Sequence, residues 1–456
     1  MGKSTFFGFR SIRLLAIMIL FGIPVLRAQE AIRSPGHDAE DSRNPSFFDN
    51  DGLEPFPCKI SGFLEARAGT RLWSNRYEKT TTLAEARLNA GVEKGWGATL
   101  FRFSGDVVYD QVTDYHKIDL DEGEGWFDMR EAFLSVAPHD RVRITAGRQI
   151  LSWGSGDLLF INDLFPKDWR SFYIGRDEAY LRAPSDAVYA CVFGEGIRFE
   201  AVYTPRFDAD RFIDGRRLSY WNPSLGRRAG RDALLRADYP DQWFRDDEIA
   251  MRVSRDFSGY EAALYGYQGF WKYPAGETPA MGRAFFPDLC VLGAGLDGPF
   301  AGGTGSIETG YYYSKEDGSG RDPYVPNSEL RFLAGLEKEL FPAFEATIQY
   351  YFEWMMDYGA YRRTLPANWN RRDELRHVFS LRLTQYLMDR KVALSMVSLC
   401  SPSDRDAYAR PLIRYQLAED VSMEFGANLW IGKDNHTFIG QHERNINVFA
   451  GLRYSF

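Results

Sequence analysis

From Lys59 onwards the charged residues of this 456-residue chain recur at alternate positions in runs whose other members are apolar. Glu65 and Arg67, Glu85 and Arg87, and Arg198 and Glu200 stand two apart, and Arg102 and Asp106 four apart. Arg143, Arg252, Arg331, Glu345, Arg382, Arg414 and Arg453 extend the pattern singly, as do Glu337 and Glu353. A spacing of two puts side chains on one face of a strand. Guanidinium and carboxylate groups gathered on one face make a wall that attracts, orients or repels charged solutes, which is the chemistry of a pore lining. Charges in such numbers are prohibitive in a dry core, so the space they face is either wet or filled with ion pairs.

Other chemistry is poorly served. Ser380 and His377 form the one nucleophile and base pair that invites an enzyme reading, and on a strand they face opposite sides. The six histidines, His37, His116, His139, His377, His436 and His442, show no ligand-pair spacing. Asp119, Asp121, Glu122 and Glu124 lack the full spacing of a calcium loop and read as a solvated acidic loop. Cys58, Cys191, Cys290 and Cys400 are scattered and read as free thiols. No catalytic residue, metal or cofactor is expected. A formal net charge of −8 and a pI near 5.5 argue against a nucleic-acid partner.

The elements that must position these charges are strands. Ile60, Gly62, Leu64, Ala66 and Ala68 alternate with Ser61, Phe63, Glu65 and Arg67, and Ala84, Ala86, Leu88 and Ala90 alternate with Glu85, Arg87 and Asn89. Similar runs continue along the chain. Their connections alternate in length, with tight turns such as Glu195-Gly196 and Asp389-Arg390 between long segments such as 152–186, 205–247 and 401–411. That is the pattern of an all-β, transmembrane antiparallel β-barrel with short periplasmic turns and long extracellular loops. About eighteen strands are expected, with sixteen as the alternative. The final run, Ile446 to Phe456, alternates except at Phe449 and resembles the closing strand of Gram-negative outer-membrane barrels. The resemblance makes Tyr454 and Phe456 an assembly signal and implies two partners, outer-membrane lipid and the assembly machinery. Aromatics make up 15% of the chain, and Trp96, Tyr109, Trp126, Tyr203, Trp271, Tyr350, Trp354 and Trp430 at strand ends suit interfacial girdles.

Mean hydropathy is −0.37, so a bundle of membrane helices is excluded. The one apolar run, Leu14 to Leu26, follows Lys3, Arg10 and Arg13 and is closed by Ala28, the order of a secretory signal. The expected organisation is a signal peptide at 1–28, a polar periplasmic tail at 29–57 and a barrel at 58–456 in the cell outer membrane.

One stretch stands apart from the alternation. Gly147-Arg148-Gln149 leads through Trp153 and Gly154 to Asp157, Asp163, Pro166, Asp168 and Trp169. The glycines permit a tight reversal, the tryptophans anchor, and the aspartates accept hydrogen bonds from backbone or arginine, which together suit a loop folded inwards as a constriction. In strict alternation Arg148 points to lipid unless Gly147 marks a bulge or the side chain reaches the headgroups. The stretch resembles a large family of Gram-negative outer-membrane porin-like proteins catalogued as a domain of unknown function, with its G-R-Q-x-x-x-W-G strand end, and more distantly the alginate-export porins. The resemblance implies a porin-like channel for a small hydrophilic solute or polymer. A structural sleeve around a partner such as a multihaem cytochrome is the alternative, and a surface enzyme the third reading. Replacing both Tyr454 and Phe456 by Ser is expected to leave the chain unassembled in the periplasm, measured as loss of outer-membrane yield.

Overall fold

The structure, a computed structural model, describes residues 58–456 apart from 74, 75, 280 and 368. The expected leader and tail lie outside the described residues. Period-two patterning produces eighteen long strands: β1 Lys59–Arg71, β2 Thr81–Trp96, β3 Thr99–Asp110, β4 Phe127–His139, β5 Val142–Gln149, β6 Ser185–Phe193, β7 Ile197–Thr204, β8 Glu248–Phe257, β9 Tyr260–Phe270, β10 Asp288–Phe300, β11 Gly303–Ser314, β12 Glu329–Phe341, β13 Phe344–Met355, β14 Leu375–Leu387, β15 Val392–Ser401, β16 Asp406–Gln416, β17 Val421–Gly432 and β18 Asn447–Ser455. Each pairs antiparallel with its neighbours in sequence. β1 then pairs with β18, from Phe63 opposite Ser455 to Arg71 opposite Asn447, so the sheet closes on itself. Phe456 extends this seam by exchanging backbone hydrogen bonds with Gly62, both 3.0 Å.

Closure decides which face is which. Leu264, Leu292, Ile307, Ile348, Ile413 and Phe425 point out and are exposed, Leu292 by 66%. An exposed apolar belt on a closed barrel belongs in hydrocarbon, and the protein is a multi-pass barrel of the outer membrane. Trp96, Tyr109, Trp126 and Trp354 are exposed on this side, as girdle residues should be. Trp271 and Trp430 are not: both are almost fully buried and face inwards. His377 turns outwards to share a 2.9 Å hydrogen bond with Tyr350, while Ser380 is buried on the other face.

One expectation about strand limits is corrected. The long segment expected at 401–411 is strand, and only residues 402–405 link β15 to β16. Pro411, at the end of that expected segment, pairs with Met396 of β15, and the ladder to β17 steps from Ala409–Leu429 to Leu412–Gly426, where no proline N–H is needed. Arg148 stays on the outward side opposite Asp186, yet it is buried. It lies at the loop end of β5, bonded to Asp186 at 2.7 Å, to the Met129 carbonyl at 2.8 Å and to the Leu120 carbonyl from the 111–126 loop. Gly147 has φ of +123°, a conformation that a side chain would strain.

Placing arginine at Leu292 is expected to destabilise the barrel by about 2–4 kcal/mol, as a charge at the bilayer midplane does. Heat-modifiable migration on gels should then be lost at a lower temperature than in the parent.

Candidate functional site

The wall of the barrel does not enclose an empty lumen. Residues 150–184 leave β5 and cross the interior before the chain re-enters the sheet at β6. Local chemistry shapes this segment. Asp168 caps the short helix α1, Trp169–Ile174, accepting the Ser171 N–H at 2.7 Å, and Gly175 ends it at φ of +95°. A Cβ on Gly175 would run into the Phe449 ring. Asp177 opens a 3-10 turn over Glu178–Leu181 by accepting the Ala179 N–H at 3.0 Å.

The segment carries its own apolar core into the barrel. Leu158, Leu159, Ile161, Phe165, Phe172, Tyr173, Ile174 and Leu181 are buried against inward residues of the wall, among them Leu83, Tyr312, Leu333, Tyr351, Val378, Tyr408, Trp430 and Phe449. Each such side chain contributes roughly 1.5–3 kcal/mol as an upper estimate. Their sum far exceeds the few kcal/mol that a thermally mobile lid could give up, so the segment is a fixed filling. Phe449, which broke the alternation of the last strand, is thus a lumen contact.

Polar contacts tie the segment to the wall on several sides. Towards β11 and β13, Asn162 donates to Glu308 at 3.0 Å and Gln349 donates to the Ser155 carbonyl at 2.9 Å. Towards β2 and β3, Arg176 pairs with Glu85 at 2.7 Å and the Tyr180 hydroxyl donates to Asp106 at 2.8 Å. Towards β17 and β18, Asn428 and Asn447 both donate to the Tyr173 carbonyl, at 2.9 and 3.0 Å. Arginines supply the rest. Arg382 grips Asp157 at 2.7 and 2.9 Å and also Glu178. Arg453, Arg414 and Arg67 converge on Asp177 at 3.2, 3.3 and 3.9 Å. Arg67 and Arg410 donate to the backbone carbonyls of Gly175 and Phe172. Burial works to raise the Asp177 carboxyl, but those three guanidiniums hold it well below the usual carboxylate range, and Arg382 does the same for Glu178.

A second loop, 205–247, locks the first in place through Arg211. This guanidinium, almost fully buried, contacts both oxygens of Asp128 at 3.1 Å, Asp168 at 3.3 Å and the Leu120 carbonyl at 3.0 Å. The acidic loop read as solvated spends its carboxylates here too: Glu122 and Glu124 pair with Arg170 at 2.8 and 2.9 Å, and Asp121 with Arg206 at 2.7 Å. Burial, with Glu248 beside it, pushes Asp208 up to about 6, and burial does the same to Asp210.

Every residue expected on the inner wall faces inwards, but in two kinds of surroundings. In the loop-side half, Arg67, Glu85, Arg87 and Asp106 are buried in ion pairs and hydrogen bonds, not bathed in water, and Glu65 and Glu200, which lie opposite Arg453 and Arg252, are buried in the same way. In the turn-side half, Arg102, Arg143, Arg198, Arg252, Glu345, Arg382, Arg414 and Arg453 keep partial access, as do Glu93, Glu131, Glu261 and Asp297, leaving a charged vestibule. Arg331 is partly exposed but pairs with Glu329 at 2.8 Å beside Tyr312. Of the motif residues, Trp153 packs on Phe165, Asp163 pairs with Lys167 at 2.9 Å and accepts from Ser152, Trp169 donates to Asp210 at 3.2 Å, and Gln149 donates to the Ala187 carbonyl at 3.0 Å. The Pro166 carbonyl accepts the Ala183 N–H, and Gly154, at φ of +77°, lets the chain pass the Glu308 carboxylate. Asp177, Glu178, Arg211 and Arg410 were missed, since the first three lie where no periodicity marks them and Arg410 lay in a presumed loop. The Asp168-x-x-Ser171 cap with Gly175 behind it was the available signal.

A scan against known family models matches none, and a search of curated proteins finds no sequence relative. Solved structures do match. OccAB3 of Acinetobacter baumannii superposes with a TM-score of 0.51 at 11% identity, covering 88% of this chain and 99% of that one. OccK3 (OpdO) of Pseudomonas aeruginosa gives 0.50 at 11% identity over 87% and 96%, and OccK11 (OpdR) gives 0.50 at 10% identity over 88% and 96%. The chain has the outer-membrane porin fold.

Arg211→Ala should cost about 3–5 kcal/mol locally, because it leaves Asp128 and Asp168 buried without their partner. Limited proteolysis of the variant should cut within 150–184 or 205–247 under conditions in which the parent is resistant, with the barrel core still intact.

Proposed function

We propose that the protein is a porin-like channel of the outer membrane, narrowed by its 150–184 segment, which passes a hydrophilic solute along an arginine- and carboxylate-lined wall. The observation that carries this reading is the vestibule: inward charges on the turn side retain access to solvent, with side-chain exposure of 46% at Arg102 and 23–27% at Arg382, Arg414 and Arg453. Fixed charges bordering water set the potential that a permeating ion meets. The same geometry disfavours the sleeve, which needs its lumen free for a partner, whereas here the chain's own segment takes up that space. The porin fold is compatible with both.

Planar-bilayer recording tests the proposal. The parent should show discrete single-channel currents, and deletion of Ser155 to Asp168 should raise unit conductance while gel heat-modifiability shows that the strand ladder persists. Absence of current in the parent at any voltage, or conductance unchanged by the deletion, would overturn the constricted-channel reading.

A further inference from the structure

Among the described strands of the barrel, β1 and β18 are the one pair whose members are not consecutive in sequence. In the loop-side half of their ladder Arg67 faces Gly451, Ala68 faces Ala450 and Gly69 faces Phe449. A glycine or alanine in each of these pairs leaves little of the cross-strand contact that normally reinforces a sheet. At the loop end, where Arg71 faces Asn447, three fully buried asparagines form one network. Asn447 of β18 donates to the Tyr173 carbonyl at 3.0 Å and to the Asn445 carbonyl at 2.8 Å, and accepts from Asn428 of β17 at 3.1 Å. Asn428 also donates to the Tyr173 carbonyl, at 2.9 Å, and accepts the Tyr408 hydroxyl at 2.7 Å. Asn445, just ahead of β18, accepts from Arg71 of β1 at 2.7 Å and from the N–H and hydroxyl of Ser219 at 2.8 and 3.0 Å, and donates to the Ser219 carbonyl at 2.8 Å. Arg71 donates further to the Arg217 carbonyl at 2.9 Å.

We propose that this asparagine network is the clasp of the barrel, through which the 150–184 segment and the 205–247 loop hold β18 against β1 and keep the seam from parting. The role is independent of conduction, since a sealed barrel needs it as much as an open one. Two features support it. The network joins both sides of the seam to elements that leave the wall at β5 and β7, so parting the seam means breaking bonds to both of them and not the ladder alone. Each asparagine also uses both its amide N–H groups and its oxygen or meets several partners at that oxygen, and in a dry site the loss of one member strands the others without partners. Phe449 adds packing at the same place, its ring lying against Gly175 of the segment.

The test is hydrogen–deuterium exchange of the assembled full chain in lipid nanodiscs, with Asn447→Ala compared with the parent and with Gln349→Ala. Gln349 of β13 is a matched control: it is a buried amide bonded to the same segment, at the Ser155 carbonyl and the Asp157 N–H, but it lies away from the seam. Asn447→Ala should speed exchange in peptides covering 63–71 and 447–455 by about tenfold or more while β10 and β11 keep the parent rate, and Gln349→Ala should leave the seam unchanged. Seam exchange at the parent rate in N447A overturns the proposal. So does an equal acceleration in β10 and β11, which makes the effect a general loosening, and so does an equal acceleration of the seam in Q349A, which assigns it to the packing of the segment. If N447A gives no heat-modifiable barrel while Q349A does, closure itself requires the clasp; if neither assembles, the requirement is general to the interior and the proposal fails.

Discussion

A sheet in hydrocarbon has no water to satisfy an open edge, so every strand must find two partners within the chain. Here the last of these obligations is met between β1 and β18, residues almost the full length of the described chain apart. Closure then imposes everything else. With eighteen strands the circumference encloses more space than the wall's own side chains fill, and period-two alternation sends most charged residues of the strands into that space. What the interior does with those charges is the question that the rest of the chain answers.

The answer differs along the barrel axis. On the loop side the chain fills the interior with its own segment, using an apolar core for volume and ion pairs for register. Neither would serve alone. The apolar side chains need a dry surface, and the wall offers one only where its charges are already paired, as at Arg87 with Asp106 and Arg67 with Glu424. The ion pairs in turn need the low dielectric that the packed rings provide, and without geometric pairing their desolvation would outweigh the attraction. On the turn side no segment of the described residues enters, and the charges keep access to solvent. The protein is thus half a packed interior and half a charged vestibule, with Arg382, Arg414 and Arg453 on the boundary.

How legible this was from the residues follows the same division. Strands declare themselves by alternation, because lipid and lumen impose opposite chemistry on neighbouring positions, so the barrel, its inward charges and most turns could be read directly. Residues that contact the inner segment break the rule. Phe449, Trp271 and Trp430 look like lipid-side or girdle aromatics, but their rings belong to a core made by residues far away in sequence, which no local pattern encodes. The 401–411 segment was expected as a loop, and the ladder step that admits Pro411 to a strand is a tertiary fact that no local pattern shows. The motif around Trp153 and Asp157 stood out because it departs from alternation. Asp177 and Glu178 did not stand out, because their meaning depends on arginines that arrive from four other strands.

The claim on which the account depends is that the 150–184 segment lies within the barrel, against the wall at Arg382. Thiol crosslinking measures this most directly. With the four native cysteines replaced by serine, Asp157→Cys and Arg382→Cys should be joined in assembled protein by a short bis-maleimide, giving a species that migrates differently on gels from either single variant. Two freely labelled thiols without a crosslink, the one at position 157 reacting from outside with a membrane-impermeant reagent, would place the segment above the barrel and contradict the account.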